Sequence, residues 1–134
     1  METYLPYCLD SLLVNNHQES LEVLIVNDGS KDSTLAIAQK YAADYPELFR
    51  VIDKRNGNYG SCINAALPLA TGKYVKVLDA DDSFDTANFE LFIEFLNVTD
   101  ADLVLSDFTW VDSERNKLRD TIYSLGKALL PMNE

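Results

Sequence analysis

The sequence predicts an α/β fold: a mostly parallel sheet flanked by helices. Three observations carry this expectation. Helical and strand-like segments alternate in the order α-β-α-β-α-β-α-β along the chain. The main strand candidates are short continuous apolar runs, as expected of strands buried on both faces. Two of these runs end abruptly in polar and acidic residues, Asn27-Asp28-Gly29 and Asp79-Ala80-Asp81-Asp82. Open parallel sheets bind ligands at those strand ends. A length of 134 residues suits one domain with a sizeable core, so residues 1–134 are read as a single domain.

Leu5, Leu9, Leu12 and Leu13 recur at helical spacing, with Pro6 tolerated near the start, and predict a helix over Thr3 to Val14. Leu21 to Val26 is an apolar strand interrupted only by Glu22. Asn27-Asp28-Gly29-Ser30 signals a turn, and a helix follows to about Tyr45, with Leu35, Ala38 and Ala42 inward and Pro46 ending it. Phe49 to Ile52 is a short strand and Asn56-Gly57-Asn58 a turn. Gly60 to Ala70 reads as a helix closing near Gly72, its last turn disturbed by Pro68. The strand Tyr74 to Leu78 then runs into the acidic loop. A helix from about Ala87 to Leu96 carries Phe89, Phe92, Ile93 and Leu96. Leu103 to Phe108 makes another strand, and Trp110 to Tyr123 a polar hairpin turning at Ser113-Glu114-Arg115-Asn116. Leu125 to Glu134 has no assignment.

Composition excludes some partners. Eleven basic against 22 acidic residues give a net charge of −11. Nucleic-acid binding needs clustered Lys and Arg, and docking to an anionic membrane needs the same. No apolar stretch reaches transmembrane length and no basic-headed signal peptide is present, so the expected location is cytoplasmic. Cys8 and Cys62 show neither metal-ligand nor redox spacing, which favours two free thiols in a reducing compartment over one disulfide. His17, in Asn15-Asn16-His17-Gln18-Glu19, reads as a solvated loop residue.

The chemistry concentrates in two loops. Asp28, at a strand's carboxyl end, can accept hydrogen bonds from a ligand's ring N–H or hydroxyls, while Gly29 allows close approach and Asp32 or Ser33 can cap the helix. A capped turn with no ligand explains the same residues. In the second loop three carboxylates repel one another and imply a cation, a shared proton or an exposed loop. A hard divalent ion such as Mg²⁺ or Mn²⁺ is the natural occupant. Asp79, Asp81, Ser83, Asp85 and Glu90 also match a calcium-loop template, but Phe84 stands where that loop needs glycine and a strand precedes it. A haloacid-dehalogenase-like phosphatase would place its aspartates on the first strand, and a receiver domain would want a Lys that Ser106-Asp107-Phe108 lacks. Asn56-Gly57-Asn58-Tyr59-Gly60-Ser61 lacks dinucleotide-fingerprint spacing, and Thr71-Gly72-Lys73 lacks the upstream glycine of a P-loop.

Tyr4 to Leu12, Val26 to Thr34, Asn56 to Asn64, and Ala70 to Tyr74 running into Asp79-Ala80-Asp81-Asp82 stand in an order and spacing that resemble the family 2 glycosyltransferases. The resemblance covers residues 4 to about 108. It implies a truncated GT-A fold, the Rossmann-like nucleotide-diphospho-sugar transferase fold. It further implies metal-dependent transfer of a sugar from a nucleotide-diphospho-sugar, a UDP-sugar favoured, to the hydroxyl of a saccharide or lipid-linked acceptor. Asp28, Gly29, Ser30, Asn56, Gly60, Asn64 and Asp79 are the implied nucleotide-sugar contacts, and Asp79 and Asp81 the implied ligands of Mn²⁺ or Mg²⁺. There are departures. Ile63 stands where many relatives carry Arg, the family's first strand should precede Met1, and its general base falls after the matched region. Asp107 reads as an ordinary strand-end residue, so no catalytic base is assigned. The chain alone is expected to be inactive, part of a longer glycosyltransferase. The alternative is a non-catalytic nucleotide-binding or assembly module. The family places its first strand between Leu21 to Val26 and Tyr74 to Leu78. Its absence predicts that these neighbours close up, that a second copy fills the gap, or that the fold is poorly stable.

Overall fold

The computed structural model describes residues 1–123. It divides into two compact units, Met1–Thr99 and Asp100–Glu134, the second described as far as Tyr123. The first unit contains α1 (Leu5–Asp10), β1 (Val23–Asp28), α2 (Thr34–Asp44), β2 (Phe49–Lys54), α3 (Tyr59–Ala66) and α4 (Thr86–Val98). The strands β1 and β2 pair in parallel through the α2 crossover, from Val23 opposite Phe49 to Asp28 opposite Lys54. This last pair puts the ends of both strands side by side.

The core follows the apolar pattern of the sequence. Leu5, Leu9, Leu12, Val14, Ile25, Ala38, Leu48, Phe49, Phe89 and Ile93 form one buried cluster. Tyr41 meets the edge of Phe49 at 5.8 Å between ring centroids, and Phe84 stacks on Phe89 at 4.0 Å. The helix α1 is shorter than Thr3 to Val14 because its end tightens: Leu12 and Leu13 N–H bond Leu9 and Asp10 carbonyls three residues back. Leu12 and Val14 are buried all the same, so the helical spacing marks burial beyond the helix itself. Pro68 falls in a 3₁₀ turn, Leu67–Leu69, that follows α3, as its missing N–H requires. Asp85 caps α4 by accepting the Asn88 N–H at 3.0 Å.

Two expected strands are not formed, and the sheet is smaller than the sequence suggests. Tyr74 to Leu78 joins no ladder; Val75 and Val77 are exposed and only Leu78 of its aliphatic residues packs on the core. The run is thus mostly unburied as well as unpaired: a strand needs a neighbour for its backbone groups, and none lies beside it among the described residues. The edge of β1 remote from β2 carries no strand among the described residues, so of the three expected outcomes the closing-up of the two neighbours is not the one seen.

In the second unit, Leu103 and Leu105 are exposed, and of the strand expected over Leu103 to Phe108 only Phe108 is paired. It begins β3 (Phe108–Val111), which pairs antiparallel with β4 (Lys117–Thr121). The Asp112 carboxylate gathers the Glu114 and Asn116 N–H groups and the Asn116 amide, which fixes the turn where the sequence places it. The Leu125 to Glu134 stretch lies outside the described residues.

Candidate functional site

The best-built polar constellation lies at the paired ends of β1 and β2. The Lys54 ammonium donates to Asp28 Oδ1 at 2.5 Å, to the Arg55 carbonyl at 2.8 Å and to Ser61 Oγ at 2.8 Å. Those three bonds use all of its protons. Asp28 Oδ1 also accepts the Gly57 N–H at 2.9 Å, and the Asn56 amide donates to the Asp28 carbonyl at 3.1 Å. Lys54, and secondarily the Gly57 N–H, hold the Asp28 carboxyl below the usual carboxylate range against an opposing effect of burial. Gly29 sits at φ +71°, and a Cβ there would stand 3.0 Å from the Asn56 nitrogen. A Cβ on Gly57 would meet Ser61 Oγ at 2.6 Å. Glycine at position 29 lets the two loops close on each other, and glycine at position 57 leaves room for the Ser61 hydroxyl and the Lys54 ammonium. Beneath them the buried Asn27 donates to Asp53 Oδ1 at 2.7 Å and accepts the Ser30 N–H at 3.4 Å, so its amide is satisfied.

The acidic loop is held from the other side by the end of α1. Cys8 Sγ contacts the Asp79 carbonyl at 3.8 Å, and the buried Ser11 hydroxyl donates to the Cys8 carbonyl and accepts the Phe84 N–H. Asp79, Asp81 and Asp82 are exposed, and a turn bonds the Asp82 N–H to the Asp79 carbonyl at 3.0 Å. Partial burial, then Asp81 and Asp79, push the Asp82 carboxyl up; Lys76 opposes them. Burial, Asp82 and Asp81 push the Cys8 thiol up to about 11. The thiol is therefore protonated at neutral pH. No group of three or more potential metal-ligating side chains gathers among the described residues. The oxygen donors of this loop nevertheless fit a hard cation of the Mg²⁺ kind, which takes one or two protein carboxylates and fills its shell with phosphate and water.

Six of the eight predicted residues thus fall into two groups. Asp28, Gly29, Ser30 and Asn56 come together at the strand ends, and Asp79 and Asp81 share the acidic loop. No hydrogen bond joins the Asp79 or Asp81 side chains to Asp28, Gly29 or Asn56. Gly60 and Asn64 lie exposed on α3, and a Cβ on Gly60 would meet nothing within 4 Å. The calcium-loop alternative fails in space as well as in sequence, since Asp85 is a helix cap and Glu90 accepts the Asn15 and Asn16 N–H groups. Asp107 accepts the Tyr123 N–H at 2.8 Å. His17 is partly exposed, 3.4 Å from Glu94, and both cysteines are free thiols. Sequence reasoning missed Lys54, Ser61 and Ser11. The available signal for Lys54 was its place at the end of the strand following the one that Asp28 ends.

Among the described residues no helix is long and apolar enough to cross a membrane. Residues 2–131 match the family described as "Glycosyl transferase family 2". The chondroitin synthase of Pasteurella multocida (strain Pm70) is 36% identical over 130 residues, which cover 86% of this chain and 13% of that protein. The hyaluronan synthase of Pasteurella multocida shows the same 36% identity over 130 residues, with 86% and 13% covered. An uncharacterized glycosyltransferase, YibD of Escherichia coli (strain K12), is 31% identical over 115 residues, covering 86% of this chain and 33% of that one. The chain therefore spans a third or less of the length of these relatives. With both polar loops inside a match that runs almost the whole length of the sequence, this chain belongs to glycosyl transferase family 2.

Proposed function

We propose that this chain is the nucleotide-sugar-binding portion of a metal-dependent glycosyltransferase. The observation that carries the reading is the junction at the ends of β1 and β2. There an ionised Asp28 is held beside Gly29 and Asn56, at the position where parallel strands present ligand-binding groups. In this reading Asp28 accepts a hydrogen bond from the nucleobase, and the Gly29–Ser30 and Asn56–Gly57 loops bring backbone close to the nucleoside. Gly60 and Asn64 face the same nucleotide from α3. Asp79 and Asp81 supply the oxygen donors for Mn²⁺ or Mg²⁺, with Asp79 also reaching the diphosphate-sugar. When bound, such a cation supplies Lewis-acid stabilisation of the departing diphosphate. The family favours a UDP-sugar as donor and a saccharide or lipid-linked hydroxyl as acceptor. The two free thiols support a reducing, cytoplasmic location.

A second reading, a non-catalytic binding or assembly module, is favoured by one observation. Asp107, a strand-end carboxylate that could be proposed as base, holds the Tyr123 N–H and so has a structural role of its own. Transfer needs an acceptor that is both held in line and deprotonated. Calorimetric titration with UDP, with and without Mn²⁺, tests the shared binding step. Wild type should bind UDP at least about tenfold more tightly with Mn²⁺, and Asp81→Asn should lose that gain. Equal metal dependence in the two proteins would remove the assignment of Asp81.

A further inference from the structure

We propose that Lys54 is the positioning residue of the base subsite, fixing Asp28 as an acceptor-only group and so selecting nucleobases that present a ring N–H. This rests on the nucleotide-binding reading and adds to it a residue and a selectivity.

The register of the parallel pair sets Lys54 directly beside Asp28. Both side chains are only about a fifth exposed, 21% for Lys54 and 20% for Asp28. The ammonium has no spare proton to offer a ligand, because Asp28 Oδ1, the Arg55 carbonyl and Ser61 Oγ take all three. Ser61 in turn donates to the Asn58 carbonyl at 2.7 Å, so the chain of bonds runs from the end of β1 through Lys54 into the first turn of α3. Lys54 therefore does not contact the nucleotide. It fixes the carboxylate that does, together with the Gly57 N–H on the same oxygen.

An ionised carboxylate accepts hydrogen bonds and donates none. Uracil and guanine carry a ring N–H on their pairing edge and satisfy such a group. Cytosine and adenine present a ring lone pair at that position, which leaves two acceptors facing each other. Setting two acceptors face to face in this way discriminates between otherwise similar ligands.

The test compares wild type, Lys54→Met and Lys54→Arg, each titrated with UDP and with CDP in Mn²⁺. The amide shift of Gly57 is recorded without nucleotide at one fixed pH. Wild type should prefer UDP by about tenfold or more, and Lys54→Met should lose about tenfold in UDP affinity with a reduced UDP/CDP ratio. Lys54→Arg keeps the charge and should restore most of both. The Gly57 amide should move in Lys54→Met and stay near its wild-type position in Lys54→Arg. An unchanged UDP/CDP ratio in Lys54→Met would overturn the proposal, whether affinity is kept or both nucleotides weaken together; the latter marks a merely structural lysine. If wild type binds neither nucleotide, the nucleotide reading fails and the selectivity with it. The Gly57 amide still decides the anchoring, which an unmoved signal in Lys54→Met would overturn.

Discussion

Glu90 is an acidic residue near the aspartate loop whose role is to hold two segments together. Its carboxylate takes the N–H groups of Asn16 and Asn15, and these bonds, in that order of effect, lower its pKa from 4.5. A carboxylate whose pKa is lowered by folding contributes stability that is fully present above its unfolded value and fades as pH falls through the folded one. The contribution of Glu90 is therefore intact well above pH 4.5 and fades as pH falls from there through the lower folded value. Glu90→Gln should unfold at lower denaturant concentration at neutral pH, and its stability should decline less steeply than that of wild type on acidification from about pH 5 to about pH 3. Parallel decline of the two proteins in urea titrations would show that Glu90 is not an anchor. The anchoring could not be read from the sequence, since Asn15 and Asn16 lie more than seventy positions away. Gly29 was legible for the opposite reason: a turn after a strand end announces its positive φ locally.

At the scale of elements, the β1–α2–β2 crossover was legible because burial and periodicity agree along it, from Ile25 through Ala38 to Phe49. The helix α4 was legible from Phe89 and Ile93, both buried. Its other apolar positions separate by face, with Leu91 at 61% exposed against 2% for Ile93. Ile93→Ala should cost about 2–5 kcal/mol of stability, through lost transfer energy and the cavity left behind. Leu91→Ala should stay within about 0.5 kcal/mol. Equal losses in chemical denaturation would mean that α4 packs through a different face. The segment Tyr74 to Leu78 was misread because its composition fits a buried strand while its partner is not specified by its own residues. Pairing is a property of two segments, and the sequence of one cannot supply the other.

The molecule as a whole carries a two-stranded parallel sheet whose β1 edge bears no strand among the described residues. Parallel sheets are ordinarily larger and covered, and an open edge is a template for another chain. Sedimentation of the 15.1 kDa chain should therefore show mass rising with concentration. The rise should be greater at high salt, where the net charge of −11 is screened. A single 15.1 kDa species at every concentration would rule out pairing through that edge. Family and general fold class were legible because several short motifs keep their order over most of the chain, whereas the Lys54 anchor depends on strand register. In the proposed function the Asp28 junction and the acidic loop serve one nucleotide-sugar and its metal. Amide NMR with UDP, then with trace Mn²⁺ as a paramagnetic probe, would locate both ligands on the chain. UDP should shift the amides of Asp28, Gly29, Ser30 and Gly57, and Mn²⁺ should broaden first those of residues 79–82. Shifts and broadening confined to other surfaces, or unaltered spectra at saturating UDP and Mn²⁺, would contradict it.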